Sequence, residues 1–361
     1  MRIPKFGLNR NDASSVATYA KDVTRAESCG WDAAWLPDSQ LRRRDTYVLL
    51  AAAAEASKTI TIGPLLTNPI TRHPSVTASS ISTVAELAEG RTVLTYGAGD
   101  TAVRLAGLEP ARVTQLHEAV ELTKSFLDGN YVEVGADRPA KLPFAQPVPV
   151  WVAAGGPRTL KMAGAVADGV FIRVGTHSNN ILSSIKMIWE GAEQAGRDRK
   201  DVKLGIIFHT VLHDHIEQAT LMAKSMAAGY FEYSPVLFEN LGYEWNGADP
   251  EELKASEDVW PDFHHSSDLV ASGNVVNFIS AEQARSFALV GGSDDIFSQL
   301  IKILFTAAAS GIEFDHVVLH PIPNPPTPDE GPESYLERVP REILPAVRKA
   351  LSESKGPNIS V

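Results

Sequence analysis

A single cysteine, Cys29, among 361 residues excludes a disulfide framework within the chain. It ends a helical pattern just before Gly30, where a small buried residue is expected. No apolar run approaches the ~18 residues that a membrane-spanning helix requires. The start of the chain shows no basic-then-apolar signal segment, so the cytoplasm is the expected location. Basic charge is short as well: 33 Lys and Arg stand against 44 Asp and Glu, a formal net charge of −11. That balance argues against nucleic acid or an anionic membrane as a partner. The excess, in residues such as Asp249, Glu251, Glu252, Glu257 and Asp258, reads as solvated surface. His177, His209, His264 and His265 are not backed by cysteines at ligand spacing, so no metal centre is expected. Neither a nucleophile elbow nor the three-glycine dinucleotide fingerprint is present.

What the chain does have is alternation. Short β-branched runs at Ile3–Leu8, Ala33–Pro37, Thr59–Leu66, Thr92–Tyr96, Val148–Ala153, Gly169–Val174, Val202–Leu212 and His316–His320 predict eight strands. Helical periodicity separates many of them, as in Ser14–Ser28, Val76–Leu87, His117–Leu127 and Asp294–Ser310. Eight parallel strands with covering helices suggest a closed (β/α)8 TIM barrel more than an open sheet. With 44% hydrophobic residues the chain can bury a large core, and barrels of this size run as one domain. The expectation is one domain over residues 1–361. Tyr131–Phe144 reads as a small hairpin or extended loop. Ala227–Arg285, a long aromatic-rich stretch between the seventh and eighth strands, reads as an inserted helical or lid segment. A Pro-rich stretch, Pro321–Pro332, precedes a final helix near Tyr335–Leu351.

In such a barrel the reactive end lies at the C-terminal ends of the strands. The second strand runs into Asp38 and Ser39, which could hydrogen-bond a ligand; alternatively Asp38 caps the next helix. Arg42, Arg43 and Arg44 follow, either pairing with an anion or forming a solvated turn. The third strand contains Gly63, Pro64, Leu65 and Leu66, then Thr67, Asn68 and Pro69, and Arg72, His73 and Pro74. Prolines at a strand mouth fix an unusual backbone path, as functional sites often require. The fourth strand ends in Gly97, Ala98, Gly99 and Asp100, where glycines let a ligand approach the backbone and a carboxylate stands beside it. The fifth ends in Gly155, Gly156, Pro157, Arg158 and Thr159 and opens into a helix over Leu160–Ala167. Bare amides at a helix start beside Arg158 and Thr159 suit an anion, while a plain Gly-Gly turn with Pro157 at the first helical position is the alternative.

Taken in order, Gly30-Trp31-Asp32-Ala33-Ala34-Trp35-Leu36-Pro37-Asp38, Ile62 to Pro69, Arg72-His73-Pro74, Gly90-Arg91, Gly97-Ala98-Gly99-Asp100 and Ala153-Ala154-Gly155-Gly156-Pro157 resemble the luciferase-like flavin and deazaflavin oxidoreductases. Phe287 to Gly291 and His316 to Pro321 fit the closing unit of that family, so the similarity spans the chain. The Thr-Asn-Pro, Arg-His-Pro and Gly-Ala-Gly-Asp stretches resemble its methylenetetrahydromethanopterin reductase branch, which uses the deazaflavin coenzyme F-420. The resemblance implies that Asp38 and Ser39 face the deazaflavin ring and that Leu65–Leu66 is a non-prolyl cis peptide backing it. It implies that Asn68 contacts the cofactor head and that Ala98, Gly99 and Asp100 lie along its chain, with Asp100 an acidic catalytic residue. Gly155, Gly156, Arg158 and Thr159 would hold the phosphate and tail.

One position departs from the pattern. Several relatives carry a proton-handling histidine where this chain has Ser39, and serine cannot hold that charge at neutral pH. Asp100 or a histidine from another loop is the expected substitute. The leading expectation is an oxidoreductase passing a hydride between F-420 and a small organic substrate, acting as a homodimer. An FMN-dependent monooxygenase served by a flavin reductase partner is the alternative, and a non-catalytic flavin-binding barrel the third. The aromatics Phe231, Tyr233, Phe238, Tyr243, Trp245, Trp260 and Phe263 of the inserted stretch either line an apolar pocket or bury one another.

Overall fold

The computed structural model describes residues 1–9, 15–323 and 334–354. The expected helix start at Ser14 and most of the Pro-rich stretch, from 324 to 332, lie outside the described residues. Among the described residues nine strands form: β1 Lys5–Asn9, β2 Ala33–Leu36, β3 Thr61–Thr67, β4 Leu94–Tyr96, β5 Val150–Ala154, β6 Gly169–Ile172, β7 Lys203–Leu212, β8 Ala288–Gly291 and β9 His316–Pro321. Their hydrogen-bonded order is β6-β5-β4-β3-β2-β1-β9-β7-β8, and β6 also pairs with β7. The eight expected strands therefore close a parallel β/α barrel, and β8 adds to β7 as an extra strand that sequence reasoning did not count as one.

The chain divides into two compact units. The first comprises Lys5–Phe171 and Met187–Gly205. Its helices start where side chains satisfy free amides. Ser15 accepts from Thr18 N at the head of Val16–Cys29, and Asp45 accepts from Tyr47 N and Val48 N at the head of Thr46–Ala56. Gly30 closes the former helix at φ 105, a left-handed conformation that glycine adopts without strain. Cys29 ends half-buried rather than fully buried. Thr46–Ala56 is apolar on nearly every face, and Leu49, Leu50 and Ala53 are buried, which is why its period does not stand out. Within Tyr131–Phe144, Val132 and Ala140 exchange two backbone hydrogen bonds as an antiparallel bridge.

Rings fill notches left by strand glycines in this unit. A Cβ on Gly7 would stand 2.3 Å from Trp35 Nε1, one on Gly169 2.3 Å from Trp151 Cε2, and one on Gly205 2.4 Å from Phe171 Cδ1. Phe171 in turn meets Trp35 edge-on at 5.4 Å and Trp151 at 4.6 Å between ring centres. These contacts seat the strands and leave their C-terminal exits to other residues.

The second unit comprises Met1–Pro4, Ile172–Lys186 and Ile206–Val361. The first helix in the stretch between β7 and β8 begins at Ile216, ahead of Ala227, and runs to Tyr233. Val236–Glu239, Pro250–Ser256, Leu269–Val275 and Ala281–Arg285 follow. Most of its aromatics pack on one another. Phe231 stacks on Trp245 at 4.5 Å, Phe238 stacks on Phe287 at 4.6 Å, and Trp245 meets Phe278 edge-on at 4.8 Å. Tyr233 and Trp260 are exceptions, 44% and 73% exposed. The final helix is broken into Tyr335–Glu342 and Leu344–Glu353, with Pro340 and Pro345 flanking the break. No described helix is long and apolar enough to cross a membrane.

Candidate active site

At the strand exits of the first unit, the residues after β2 and β3 are tied together. Asp38 N–H donates to Leu66 O at 3.1 Å. Asp38 Oδ2 accepts from Thr67 Oγ1 at 2.8 Å and from Arg72 Nε at 2.9 Å. Asp38 therefore does not cap the next helix; Asp45 does, and Arg72 bridges to it as well. Arg72 also lies 4.8 Å above the centre of the Tyr47 ring. Burial disfavours charge on Arg72, yet Asp38 and Asp45 outweigh it and hold the guanidinium ionised. Burial, and then the Asp38 charge, push the Tyr47 hydroxyl well above its ordinary range, so it stays neutral. Arg42 and Arg44 are exposed, consistent with a solvated turn.

The Leu65–Leu66 peptide is cis, as the resemblance implied. The β3–β4 register shifts between Leu65 and Thr67, a bulge in the strand. Leu66 lies against Gly97, where an added Cβ would come within 2.5 Å of Leu66 Cδ2. Gly99, at φ +81, lets Asn68 and Val103 close in, since a Cβ there would sit 3.0 Å from Asn68 Cβ and 2.5 Å from Val103 Cγ2.

Among the buried polar atoms here without a partner are side-chain donors of Asn68 and Ser39. Asn68 is 1% exposed, and its Oδ1 accepts from Ile70 N at 3.0 Å, Thr71 N at 2.9 Å and Thr71 Oγ1 at 3.2 Å. Three donors fix which end of the amide is oxygen. Its Nδ2, a donor, is left without a hydrogen bond, and so is the Oγ of Ser39. A buried polar group without a partner is costly in a folded protein and calls for an explanation. A ligand carrying acceptors satisfies both.

The structure brings Asp38, Ser39, Leu65, Leu66, Asn68, Ala98 and Gly99 onto the neighbouring exits of β2, β3 and β4. Asp100 stands apart. Its side chain is 45% exposed, makes no capping bond to the helix Thr101–Arg104, and accepts from Arg104 Nε at 2.7 Å. Gly155, Gly156, Arg158 and Thr159 follow β5, with Pro157 as the first residue of the helix Pro157–Val166 and Arg158 exposed. No hydrogen bond or ion pair among the described residues links Arg158 or Thr159 to the Asp38–Asn68 cluster.

The second unit carries its own cluster at strand exits. Arg173 follows β6, His209 lies in β7, and His320 is the penultimate residue of β9. His209 is 3% exposed and meets the rings of Tyr230 and His320 at 5.4 and 5.2 Å. Burial, helped by Arg173, drives its pKa well below the ordinary imidazole value, so it is neutral. Asp262 holds two further imidazoles, with His264 Nδ1 and His265 Nδ1 each 2.8 Å from one of its oxygens. Burial and His264 push His265 down to about 4. Arg173 was not singled out by sequence; a charged residue directly after the apolar run Val170-Phe171-Ile172 was the available signal. A separate cavity of 610 Å³, lined by His177, Arg285 and Lys302 among others, lies beside the helices Ser178–Gln194 and Ser293–Ala309.

Barrel, strand exits and cis peptide coincide with a match of residues 3–309 to the luciferase-like monooxygenase family model, and the chain belongs to that family. Among relatives, it is 29% identical over 312 residues to a 5,10-methylenetetrahydromethanopterin reductase of Methanolobus tindarius, covering 83% of this chain and 90% of that one. It is 31% identical over 209 residues to an F-420-dependent glucose-6-phosphate dehydrogenase of Amycolatopsis mediterranei, covering 50% and 60%. The fold is shared with the coenzyme F-420 dependent tetrahydromethanopterin reductase of Methanopyrus kandleri, with a TM-score of 0.74 at 23% identity over 95% of this chain and 99% of that one.

Proposed function

We propose that this protein is an F-420-dependent oxidoreductase that moves a hydride between the deazaflavin and a small organic substrate. The observation that carries it is the buried, unpartnered Nδ2 of Asn68, together with Ser39 Oγ, beside glycines that open the strand exits. The name of the relative at 31% identity, an F-420-dependent glucose-6-phosphate dehydrogenase, supports the same cofactor. When bound, the deazaflavin supplies the hydride donor or acceptor. The chain supplies placement: Asn68 Nδ2 and Ser39 Oγ donate to the cofactor head, and Leu65–Leu66 backs the ring.

Through its Oδ2, which accepts from Thr67 and Arg72, Asp38 orients Arg72 and the β2–β3 exits. Asp100, partly exposed and paired among the described residues to Arg104, is the carboxylate available for proton transfer at the exit of β4. Gly155, Gly156, Arg158 and Thr159 take the phosphate and tail through backbone amides and a guanidinium.

Titration of the purified protein with F-420 and, in parallel, with FMN tests the reading by chromophore fluorescence. Tight binding of F-420 with weak binding of FMN supports it. Preference for reduced FMN with oxygen consumption would replace it by the monooxygenase reading.

A further inference from the structure

The half-buried guanidinium of Arg173 in the second unit has no counter-ion. Its Nε makes no hydrogen bond, and no carboxylate pairs with it among the described residues. The acidic groups on the surrounding elements are engaged elsewhere. Asp262 is held by His264 and His265, and Glu232 pairs with Lys254 Nζ at 2.6 Å. What surrounds Arg173 is aromatic: the rings of Tyr230 and Tyr233 lie at 5.7 and 5.6 Å, and the Tyr230 hydroxyl, a neutral group, is within its reach. Cation–π contact compensates only part of the cost of desolvating a full charge.

The local backbone holds the arginine in place. Two residues on, Gly175 turns at φ +81, where a Cβ would stand 2.5 Å from Ser286 O. Thr176 N then donates to Ser286 O at 2.9 Å, and Thr176 Oγ1 donates to Arg285 O. The Tyr230 ring that Arg173 meets is also met, at 5.4 Å, by His209, which is 3% exposed and whose Nδ1 also lacks a partner. One uncompensated cation and one unpaired buried imidazole nitrogen thus belong to the same group of side chains at strand exits.

We propose that Arg173 and His209 form a binding site for an anionic group, a carboxylate or phosphate carried by the organic substrate. The guanidinium takes the anion through its N–H edge while Tyr230 and Tyr233 hold its faces, and His209 donates from one ring nitrogen as a neutral imidazole. Calling the anion a substrate group rests on the hydride-transfer reading. The anion site itself does not, and it is measured without cofactor.

Calorimetric titration of the full chain with inorganic phosphate and, separately, with succinate reads both head groups, and the stronger of the two names the class. Arg173→Met is expected to weaken that anion about 10-fold or more, Arg173→Lys to retain part of the affinity, and the His209 ring resonance to move on anion addition in the wild type. The F-420 affinity of Arg173→Met should stay at the wild-type value, which separates this site from the cofactor reading. Melting by circular dichroism identifies any variant that has lost its fold, and Arg173→Lys then carries the comparison. Equal anion affinity in wild type and folded Arg173 variants overturns the proposal. So does binding lost only in Arg158→Ala, which would give the anion to the helix Pro157–Val166, and so does no binding of either anion.

Discussion

Replacing Asn68 by Asp separates a turn-holding side chain from a ligand-holding one. The substitution is isosteric. It keeps an oxygen for Ile70 N, Thr71 N and Thr71 Oγ1, at 3.0, 2.9 and 3.2 Å. Those three donors accept a carboxylate at least as readily as an amide oxygen. What changes is the other end, where the unpartnered Nδ2 donor becomes a second acceptor. If Asn68 only holds the Pro69–Thr71 turn, the substitution leaves cofactor affinity near the wild-type value, and only stability falls through the newly buried charge. If Nδ2 donates to F-420, binding loses that hydrogen bond, about 1 kcal/mol, and faces acceptor against acceptor, raising the loss to about 2 kcal/mol. That corresponds to an affinity roughly 10- to 30-fold weaker. Chromophore fluorescence gives the affinity, and urea denaturation followed by tryptophan emission gives the stability. Unchanged F-420 affinity in a fully folded Asn68→Asp protein would refute the reasoning and remove Asn68 from the cofactor site.

Asp100→Asn should cost about 0.5 kcal/mol of stability or less, as expected of an exposed i,i+4 pair that caps nothing, while lowering turnover about 100-fold; near-normal turnover would pass the proton role to another group. Asp38→Asn should destabilise the fold by about 3 kcal/mol, because Arg72 would lose its buried partner, and a denaturation midpoint near the wild-type value would contradict this. Arg158→Ala should weaken F-420 by about 1.5 kcal/mol with no change in melting temperature, and an unaltered affinity would exclude Arg158 from the tail site. Glu27 links the end of its helix to Lys58, Thr59 and Ile60; against the effect of burial, those hydrogen bonds hold its carboxyl down at about 2, below the ordinary 4.5. Because the folded value is the lower one, its stabilisation is present above pH 4.5 and lost as pH falls toward 2. Glu27→Gln should therefore lower stability at neutral pH, with the gap to wild type narrowing in acid; a gap constant with pH would show that Glu27 contributes nothing through ionisation.

The closed ring of strands was legible because apolar β-branched runs broken by helical periods carry their own pattern. The run Ala288-Leu289-Val290-Gly291 escaped because it is short and follows the helix Ala281–Arg285 after only two residues. The helix Thr46–Ala56 escaped for the opposite reason: with nearly every face apolar, no stripe marks it. At the site, Asp38, Asn68 and the glycines could be named because strand ends are where such residues serve. The bridge from Asp38 through Arg72 to Asp45 could not, since it depends on how two loops fold over one another. Sequence left open whether the inserted aromatics line a pocket or pack together, and only ring positions decide that most of them pack together.

The glycine notches under Trp35, Trp151 and Phe171 bear on how this barrel can change. An alanine at Gly7, Gly169 or Gly205 would place a methyl carbon 2.3 to 2.4 Å from a ring atom, and each ring is already wedged against another. No one of these positions can be enlarged by itself, nor a ring shrunk without leaving a void. Tolerated change has to come as a trade, a glycine gaining volume as its ring gives some up, so the effects of the two substitutions will not add. Gly97 and Gly99 at the exit of β4 are held the same way, against Leu66 and Val103. A sequence library built on this chain would find its permissible variety away from these positions, while the notches behave as coupled pairs that are kept or exchanged together.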